Sequence, residues 1–224
     1  KLNANADYFH FTSNETLEGV QWHKMPETNG IPVVCDMTSD LLTRTVDIND
    51  YDMIYASAQK NMGIAGITFV IMKRSMIGQS DNLLPTMMNY KTYADTRSFY
   101  NTPPTFPWYV MLQVLRWTKA QGGVKAIQEM NQSKSNKLYQ YIDSSDFYLN
   151  KVATHCRSEV NVPFWLQDDA LNAQFLQQSS ESGLKALKGH MAVGGMRASI
   201  YNAMPENGID ALIAFMQQFE KDNS

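Results

Sequence analysis

Lys60 is the residue of this 224-residue chain best placed to do chemistry, in the segment YASAQKNMGIAG (55–66). It follows a short apolar run typical of a buried strand and precedes a turn that contains Gly63 and Gly66. Asp36 has an equivalent place at the end of the apolar run IPVVCD (31–36). Ligands of open α/β sheets bind beyond the carboxyl ends of parallel strands. If the two strands are near neighbours, the sequence predicts one crevice that holds an amine and a carboxylate.

An amine beside apolar walls has a lowered pKa, which makes it available as a nucleophile. A nearby carboxylate can pair with that amine or hold a protonated ring nitrogen, and the two together are the protein's share of pyridoxal phosphate chemistry. Structural interpretations stay open at this point. A lysine after a strand is usually a solvated loop residue, an aspartate there commonly caps a turn, and two glycines suit a hairpin. A phosphate loop is excluded, because no Gly-Lys-Ser/Thr follows.

The elements that must position these residues alternate along the first half of the chain. Short apolar runs predict strands, and the segment of about 15 residues between the second and third is long enough for a parallel crossover. The strands are expected at 7–12, 31–36, 51–57 and 66–73. Two prolines exclude regular structure from NTPPTF (101–106). Helical spacing follows at 107–121 and 124–142, with a break at Gly122-Gly123.

Beyond about residue 145 the pattern changes to a mixture of strands and helices. We expect strands at 160–166 and 196–202 and helices at 169–186 and 205–221, the last with an amphipathic stripe. The predicted fold class is therefore α/β: part of a large sheet domain over residues 1–121, followed by a smaller α+β domain over residues 122–224.

Composition excludes several function classes. With 44% hydrophobic and 18% charged residues the chain is typical of a soluble globular protein, and a net charge of −3 predicts no nucleic-acid or anionic-lipid partner. Its apolar runs fall far short of the roughly 20 residues that a membrane helix needs. Cys35 and Cys156 are too few for a disulfide framework and lack metal-site spacing, so we expect no metal, reduced thiols and a cytoplasmic location.

Three segments carry a resemblance to a known family. YASAQKNMGIAG, NTPPTFPWY and GLKALKGHMAVGGMRASIYNAM together closely resemble the phosphoserine aminotransferases, fold-type I pyridoxal phosphate enzymes of the class V aminotransferase group. They occur in the family's order and at its intervals, with 24 residues from Asp36 to Lys60 and 41 from Lys60 to Asn101. The resemblance implies an incomplete fold-type I large-domain sheet, followed by a small C-terminal domain.

The resemblance also implies a cofactor, pyridoxal 5′-phosphate. Lys60 matches the lysine to which the cofactor is attached, and Asp36 matches the residue that keeps its pyridine nitrogen protonated. Thr16 matches a cofactor-contacting threonine, and Gln59 matches a residue near the cofactor phosphate. Asn101 and Thr102 are similar to residues that reach the cofactor of the neighbouring subunit, which implies a homodimer with shared sites.

Two further residues resemble substrate contacts of the family. Arg197 matches an arginine that binds the substrate carboxylate, and His190 matches a contact to the substrate anion. Without the resemblance, Arg197 could be a strand residue paired with an acid and His190 an ordinary loop histidine. The implied activity is transamination between L-glutamate and 3-phosphohydroxypyruvate, which gives 2-oxoglutarate and O-phospho-L-serine in serine biosynthesis, with a related role in pyridoxine biosynthesis. The alternatives are a class V aminotransferase or lyase with a non-phosphorylated substrate, and a non-catalytic fragment.

The chain departs from the family pattern in two places. Met191 stands where family members carry an arginine that contributes to binding of the substrate phosphate, so we expect weaker affinity for a phosphorylated substrate or compensation by another cation. The resemblance also covers only the later part of these enzymes. The earlier part supplies sheet strands and further cofactor and substrate contacts, and without it we expect an exposed sheet edge.

Overall fold

The computed structural model describes residues 2–79 and 83–223, which form a four-stranded sheet, a two-stranded ribbon, a three-stranded sheet and five α-helices. In chain order the strands are β1 (Phe9–Thr12), β2 (Asn14–Glu15), β3 (Val20–Gln21), β4 (Val33–Asp36), β5 (Met53–Ser57), β6 (Thr68–Met72), β7 (Tyr148–Leu149), β8 (Asn161–Leu166) and β9 (Met196–Ser199). The helices are α1 (Tyr90–Asp95), α2 (Thr105–Ala120), α3 (Gly123–Ser144), α4 (Asn172–Glu181) and α5 (Glu206–Asn223).

The four-stranded sheet has the order β1-β4-β5-β6. Strands β1, β4 and β5 are parallel, and residues 37–52 make the predicted crossover between β4 and β5. Strand β6 runs antiparallel to β5, so the turn that contains Gly66, at φ +122°, closes a hairpin. This confirms the hairpin that the two glycines suited in the sequence. Three parallel strands therefore end at one edge of the sheet.

One face of this sheet carries its hydrophobic core. Phe11, Cys35 and Ile54 lie side by side on the three parallel strands, and all three are buried. Since successive strand residues point to opposite faces, their neighbours Asp36 and Tyr55 lie on the other face. The pleat thus separates a dry apolar face from a face that carries polar side chains.

Residues 138–219 build a second hydrophobic core around the β7-β8-β9 sheet. Phe164 on β8 packs edge-on against Phe175 of α4, which meets Phe219 of α5 in the same way. Helix α5 buries the residues of its predicted stripe that face this core: Ile209, Leu212, Met216 and Phe219. The two cores do not decide where a domain boundary falls, and the boundary between residues 121 and 122 stays a prediction.

Several predicted boundaries were wrong by a few residues. Helix α2 begins at Thr105 rather than 107, because Pro107 lies in the first turn, where its missing N–H is not needed. Helix α4 ends at Glu181 rather than 186, since the chain turns at Gly183 with φ +86°. The break between α2 and α3 at Gly122, with φ +100°, is confirmed.

Polar groups join the two cores. Ser158 N–H donates to Gly19 O (2.9 Å), and Asn14 Nδ2 donates to Asn161 Oδ1 (2.9 Å) in a buried pair. On α3, Lys134 is only 1% exposed. Its ammonium donates to three backbone carbonyls that follow β9: Ile200, Tyr201 and Met204, at 3.0–3.1 Å.

In the described part of the chain, no helix is both long and apolar enough to cross a membrane.

The burial of Lys134 predicts a pH-dependent stability. Burial lowers the pKa of Lys134 to about 8 from its ordinary 10.5, and the charge of Glu206 opposes this only in part. Between these two pH values the unfolded chain binds more protons than the folded one, so the Lys134 contribution to the free energy of unfolding becomes more favourable as pH rises. Urea unfolding at pH 8 and pH 10 should show wild type gaining stability relative to Lys134→Met.

The control is Lys137→Met, one turn along the same helix. Lys137 is exposed, and its hydrogen bond to Asp210 raises its pKa, so wild type should not gain stability relative to this variant over the same range. Equal changes with pH for the two variants would contradict the assignment to Lys134.

Candidate active site

The candidate site lies at the carboxyl edge of the four-stranded sheet. Asp36 is the last residue of β4, and Lys60 follows β5 by three residues. Thr16 follows the third parallel strand, β1, after the short strand β2. Because the three strands are parallel neighbours, these residues occupy one crevice, as the sequence predicted for Asp36 and Lys60.

Lys60 is half-buried, and its ammonium donates a hydrogen bond to Thr16 Oγ1 at 2.5 Å. Burial lowers the pKa of Lys60, since desolvation penalises the charged form, while the charge of Asp36 opposes this shift. The guanidinium of Arg197 lowers the pKa further, and the buried carboxyl of Asp40 raises it. Lys60 is thus an amine shifted towards its nucleophilic neutral form, and it is not the freely solvated lysine of the structural interpretation.

Asp36 is held at its backbone, where its carbonyl accepts a hydrogen bond from Ser13 N–H (3.0 Å), and at its side chain. Its Oδ1 accepts a hydrogen bond from Thr38 N–H (2.8 Å), the turn-capping role considered from sequence. Its neighbour across the sheet is Tyr55, whose pKa is raised by burial and then by the charge and hydrogen bond of Asp36. The Tyr55 hydroxyl is also 3.0 Å from His10 Nε2. Sequence reasoning missed Tyr55 and His10 here, although strand alternation puts both on the Asp36 face.

Arg197 comes to the crevice from β9 of the second core. Its backbone N–H donates to Leu187 O (2.7 Å), which anchors the strand. Its Nε and Nη1 are buried and have no hydrogen-bond partner within the ranges 2–79 and 83–223. The interpretation of Arg197 as a strand residue paired with an acid is therefore not supported. Two buried nitrogens with unpaired donors make this half-buried guanidinium a ready binding site for a carboxylate.

A compact turn precedes β9 and carries His190 and Met191. Gly189 N–H donates to Gly195 O (2.9 Å), and Gly194 N–H donates to His190 O (2.8 Å). Ala192 N–H donates to His190 Nδ1 at 3.2 Å, so in the neutral ring the proton resides on Nε2. Both side chains are exposed, Met191 by 94%. The turn presents His190 as a donor.

The other predicted cofactor residues, Gln59, Asn101 and Thr102, are exposed and make few contacts with the rest of the described chain. Gln59 is exposed beside Lys60. Asn101 and Thr102 are exposed just before α2, and Asn101 Nδ2 contacts Met87 Sδ at 3.5 Å. No hydrogen bond of the described residues joins Asn101 or Thr102 to Lys60, so their role stays a prediction. The same part of the chain contains no cluster of three His, Cys, Asp or Glu side chains able to hold a metal.

At the carboxyl edge of an α/β sheet the site combines an amine of lowered pKa, a carboxylate and a guanidinium with two buried nitrogens that have no partner among the described residues. This arrangement is suited to enzymes that react an amine with a carbonyl group while a cation holds the substrate carboxylate. Residues 1–212 match the family model described as aminotransferase class V, and the chain belongs to this family. The predicted α/β fold class is confirmed by the solved structures that it matches.

The relatives of this chain carry a more specific name than the family. The chain is 48% identical over 224 residues to the phosphoserine aminotransferase of Pseudoalteromonas translucida, a match that covers 100% of this chain and 62% of that protein. It superposes on the phosphoserine aminotransferase of Bacillus circulans subsp. alkalophilus with a TM-score of 0.97 at 42% identity, covering 100% of this chain and 62% of the other. A PLP-bound phosphoserine aminotransferase from Trichomonas vaginalis gives a TM-score of 0.92 at 35% identity, with 97% and 62% covered. The chain thus spans about three fifths of the length of these relatives.

The opposed charges around Lys60 predict opposite shifts of its pKa. Asp36→Asn should lower the pKa of Lys60, because a neighbouring negative charge is lost, whereas Arg197→Met should raise it, because a neighbouring positive charge is lost. The measurement is the pH dependence of Lys60 acylation in the cofactor-free chain, followed by peptide mass spectrometry. Exposed Lys137 serves as the internal reference. Shifts of the same sign in both variants would show that the two side chains do not act on Lys60 through their charges.

Proposed function

We propose that this chain is the cofactor-bearing part of a phosphoserine aminotransferase, which uses pyridoxal 5′-phosphate to exchange amino and keto groups between L-glutamate and 3-phosphohydroxypyruvate. The observation that carries the proposal is the half-buried amine of Lys60, of lowered pKa, beside Asp36 and Arg197 at one sheet edge. The names of relatives 48% and 42% identical support the substrate assignment.

The residues at the sheet edge fit the cofactor. Lys60 offers an amine for covalent attachment to an aldehyde, and Asp36 offers a carboxylate to keep a pyridine nitrogen protonated. The hydroxyl of Thr16 and the amide of Gln59 offer hydrogen bonds to its oxygens. When bound, pyridoxal phosphate supplies a protonated ring that withdraws electrons from the substrate Cα. Asn101 and Thr102 would reach the cofactor of a partner subunit.

The side chains of this chain supply binding and proton transfer. The free Nε–H and Nη1–H groups of Arg197 would hold the substrate α-carboxylate and so orient its Cα–H bond. The amine of Lys60, whose lowered pKa favours its neutral form, would take the proton from Cα and deliver it for the opposite step. Nε2–H of His190 would donate to the distal anion of the substrate.

We also propose a cytoplasmic homodimer. Several exposed apolar and aromatic side chains lie close to Asn101 and Thr102 in sequence, and exposed apolar surface of this kind on a globular chain supports a protein interface. They include Phe99, Tyr100, Phe106, Tyr109 and Leu112, with exposures of 45–66%. The free cysteines Cys35 and Cys156 support a reducing compartment. Serine biosynthesis, with pyridoxine biosynthesis as a related role, is the corresponding pathway.

The first test removes the amine. In the protein reconstituted with pyridoxal phosphate, Lys60→Ala should abolish the visible absorbance of covalently attached cofactor and lower turnover of glutamate with 3-phosphohydroxypyruvate by about 10²–10⁴-fold, the range typical of a lost acid–base group. Lys188→Ala, an exposed lysine near the turn before β9, is the control and should keep the absorbance. Retained absorbance and turnover in Lys60→Ala would overturn the proposal.

The second test concerns the substrate phosphate. Met191 supplies no charge beside His190, and a hydrogen bond to a charged group is worth about 1.5–3 kcal/mol. Met191→Arg should therefore lower KM for the phosphorylated keto acid by roughly 10-fold or more and leave KM for glutamate nearly unchanged. Met204→Arg, a second exposed methionine outside the turn, is the charge-matched control.

An unchanged KM for the phosphorylated substrate in Met191→Arg would contradict the role assigned to this position. If wild type turned over only non-phosphorylated substrates, Met191 would instead mark a class V aminotransferase or lyase of different substrate. If the wild-type chain took up no cofactor, it would be a non-catalytic fragment.

A further inference from the structure

Asn61 is the residue next to Lys60, and its side chain is buried, with 6% of the residue exposed. Its Nδ2 donates a hydrogen bond to Ser39 O at 2.9 Å. Its Oδ1 accepts a hydrogen bond from the backbone N–H of Asn202 at 3.2 Å. One amide side chain therefore bonds two backbone segments that are 163 positions apart in sequence, at residues 39 and 202.

Each of these segments carries a residue of the candidate site. Ser39 lies in the turn that follows Asp36, and Asn202 lies in the loop that follows β9, the strand of Arg197. Asn61 itself follows Lys60 directly. The single amide of Asn61 thus ties together the three pieces of backbone that present the amine, the carboxylate and the guanidinium.

Two further asparagines support this junction. Asn202 Nδ2 donates to Leu42 O (3.0 Å), and Asn202 Oδ1 accepts from Asn131 Nδ2 (2.8 Å). Asn131, on α3, also donates to Thr43 O (3.2 Å). Asn61, Asn131 and Asn202 form what we call the asparagine network, and all three are buried. A buried network of this kind holds one arrangement, since each broken bond leaves a buried polar group without its partner.

The chemistry of position 61 requires a side chain that donates and accepts at once from neighbouring atoms. Asparagine does so, whereas alanine does neither and aspartate loses the donor that faces Ser39 O. We propose that Asn61 is a positioning residue, which sets the place of the Lys60 amine relative to Asp36 and Arg197. The inference rests on the proposed function, because it requires Lys60 to be the reacting amine.

The effect of losing Asn61 follows from what faces Lys60. Displacing a reacting group by about 1 Å can cost on the order of 10²-fold in rate. The charges that face the Lys60 amine are Asp36, Asp40 and Arg197, and they act with opposite signs. A shift of the Lys60 segment relative to these charges therefore changes both the protonation and the orientation of the amine.

The test compares reconstituted holoenzymes of wild type, Asn61→Ala and Tyr148→Phe. Tyr148→Phe is the control for the loss of buried hydrogen bonding away from the site: it removes one buried bond within the second core, from Tyr148 Oη to Met216 O (2.9 Å), where Asn61→Ala removes two. We expect kcat of Asn61→Ala to fall by about 10–100-fold, and the pH midpoint of the absorbance change of bound cofactor to shift by about half a unit or more. Tyr148→Phe should leave kcat within about twofold of wild type and the midpoint unchanged, while both variants lower Tm.

Asn202→Ala provides a second variant if Asn61→Ala folds poorly. It removes the bonds to Leu42 and Asn131 but keeps the Asn202 N–H that Asn61 accepts, so its loss of kcat should be smaller. In the cofactor-free chain, hydrogen exchange of the Asn202 amide should be faster in Asn61→Ala than in Tyr148→Phe.

A kcat and a pH midpoint in Asn61→Ala that match those of Tyr148→Phe, together with a wild-type holoenzyme that turns over, would overturn the positioning role alone. A wild-type protein that neither binds pyridoxal phosphate nor transaminates would refute the proposed function, and the inference with it. A fall in kcat that accompanies the shifted midpoint would support both.

Discussion

The parallel pairing of β4 with β5 is the constraint on which the rest of the site depends. In this register Asp36 lies beside Tyr55, and Cys35 lies beside Ile54 in the core. Because side chains alternate between faces, a slip of one residue would turn the carboxylate into the apolar core and the thiol towards the site. Val33 and Cys35 are buried on the core face, whereas Val34 and Asp36 are only partly buried on the other, so a slip would carry a charged side chain into the apolar core. The hydrophobic effect thereby fixes which face carries the chemistry.

In the site itself, charges of opposite sign act on the Lys60 amine. Lys60 loses solvation on burial, is stabilised as a cation by two carboxylates and is destabilised by Arg197. Two buried nitrogens of Arg197 have no partner in the described part of the chain, and an unsatisfied buried group costs about 1–3 kcal/mol. Under the proposed function, a substrate carboxylate would relieve that cost on binding. The two hydrophobic cores and the polar groups that join them stabilise the fold and so offset this local cost.

The sequence predicted those parts of the fold and of the site that depend on local residue patterns. Continuous apolar runs located β4 and β5, and their ends located Asp36 and Lys60. What it could not reach depends on distances between remote segments: the free nitrogens of Arg197, the Tyr55 and His10 pair, and the junction at Asn61. Asparagine is common in turns, and nothing local distinguishes one that bridges two units from one that caps a turn. The ends of α2 and α4 were misjudged because proline tolerance and glycine placement depend on the position within the helical turn.

The turn that carries Met191 has a further consequence for how the protein can change. Backbone hydrogen bonds between Gly189 and Gly195 and between His190 and Gly194 hold this turn, and the Met191 side chain, 94% exposed, adds little to its packing. Under the proposed function, stability and anion binding are therefore nearly independent at this position. A side chain of another size or charge can be placed there without displacing packed neighbours, so substitutions at one codon would change the proposed anion contact and leave Lys60, Asp36 and Arg197 in place. Position 191 is in this sense an evolvable point on an otherwise tightly coupled site.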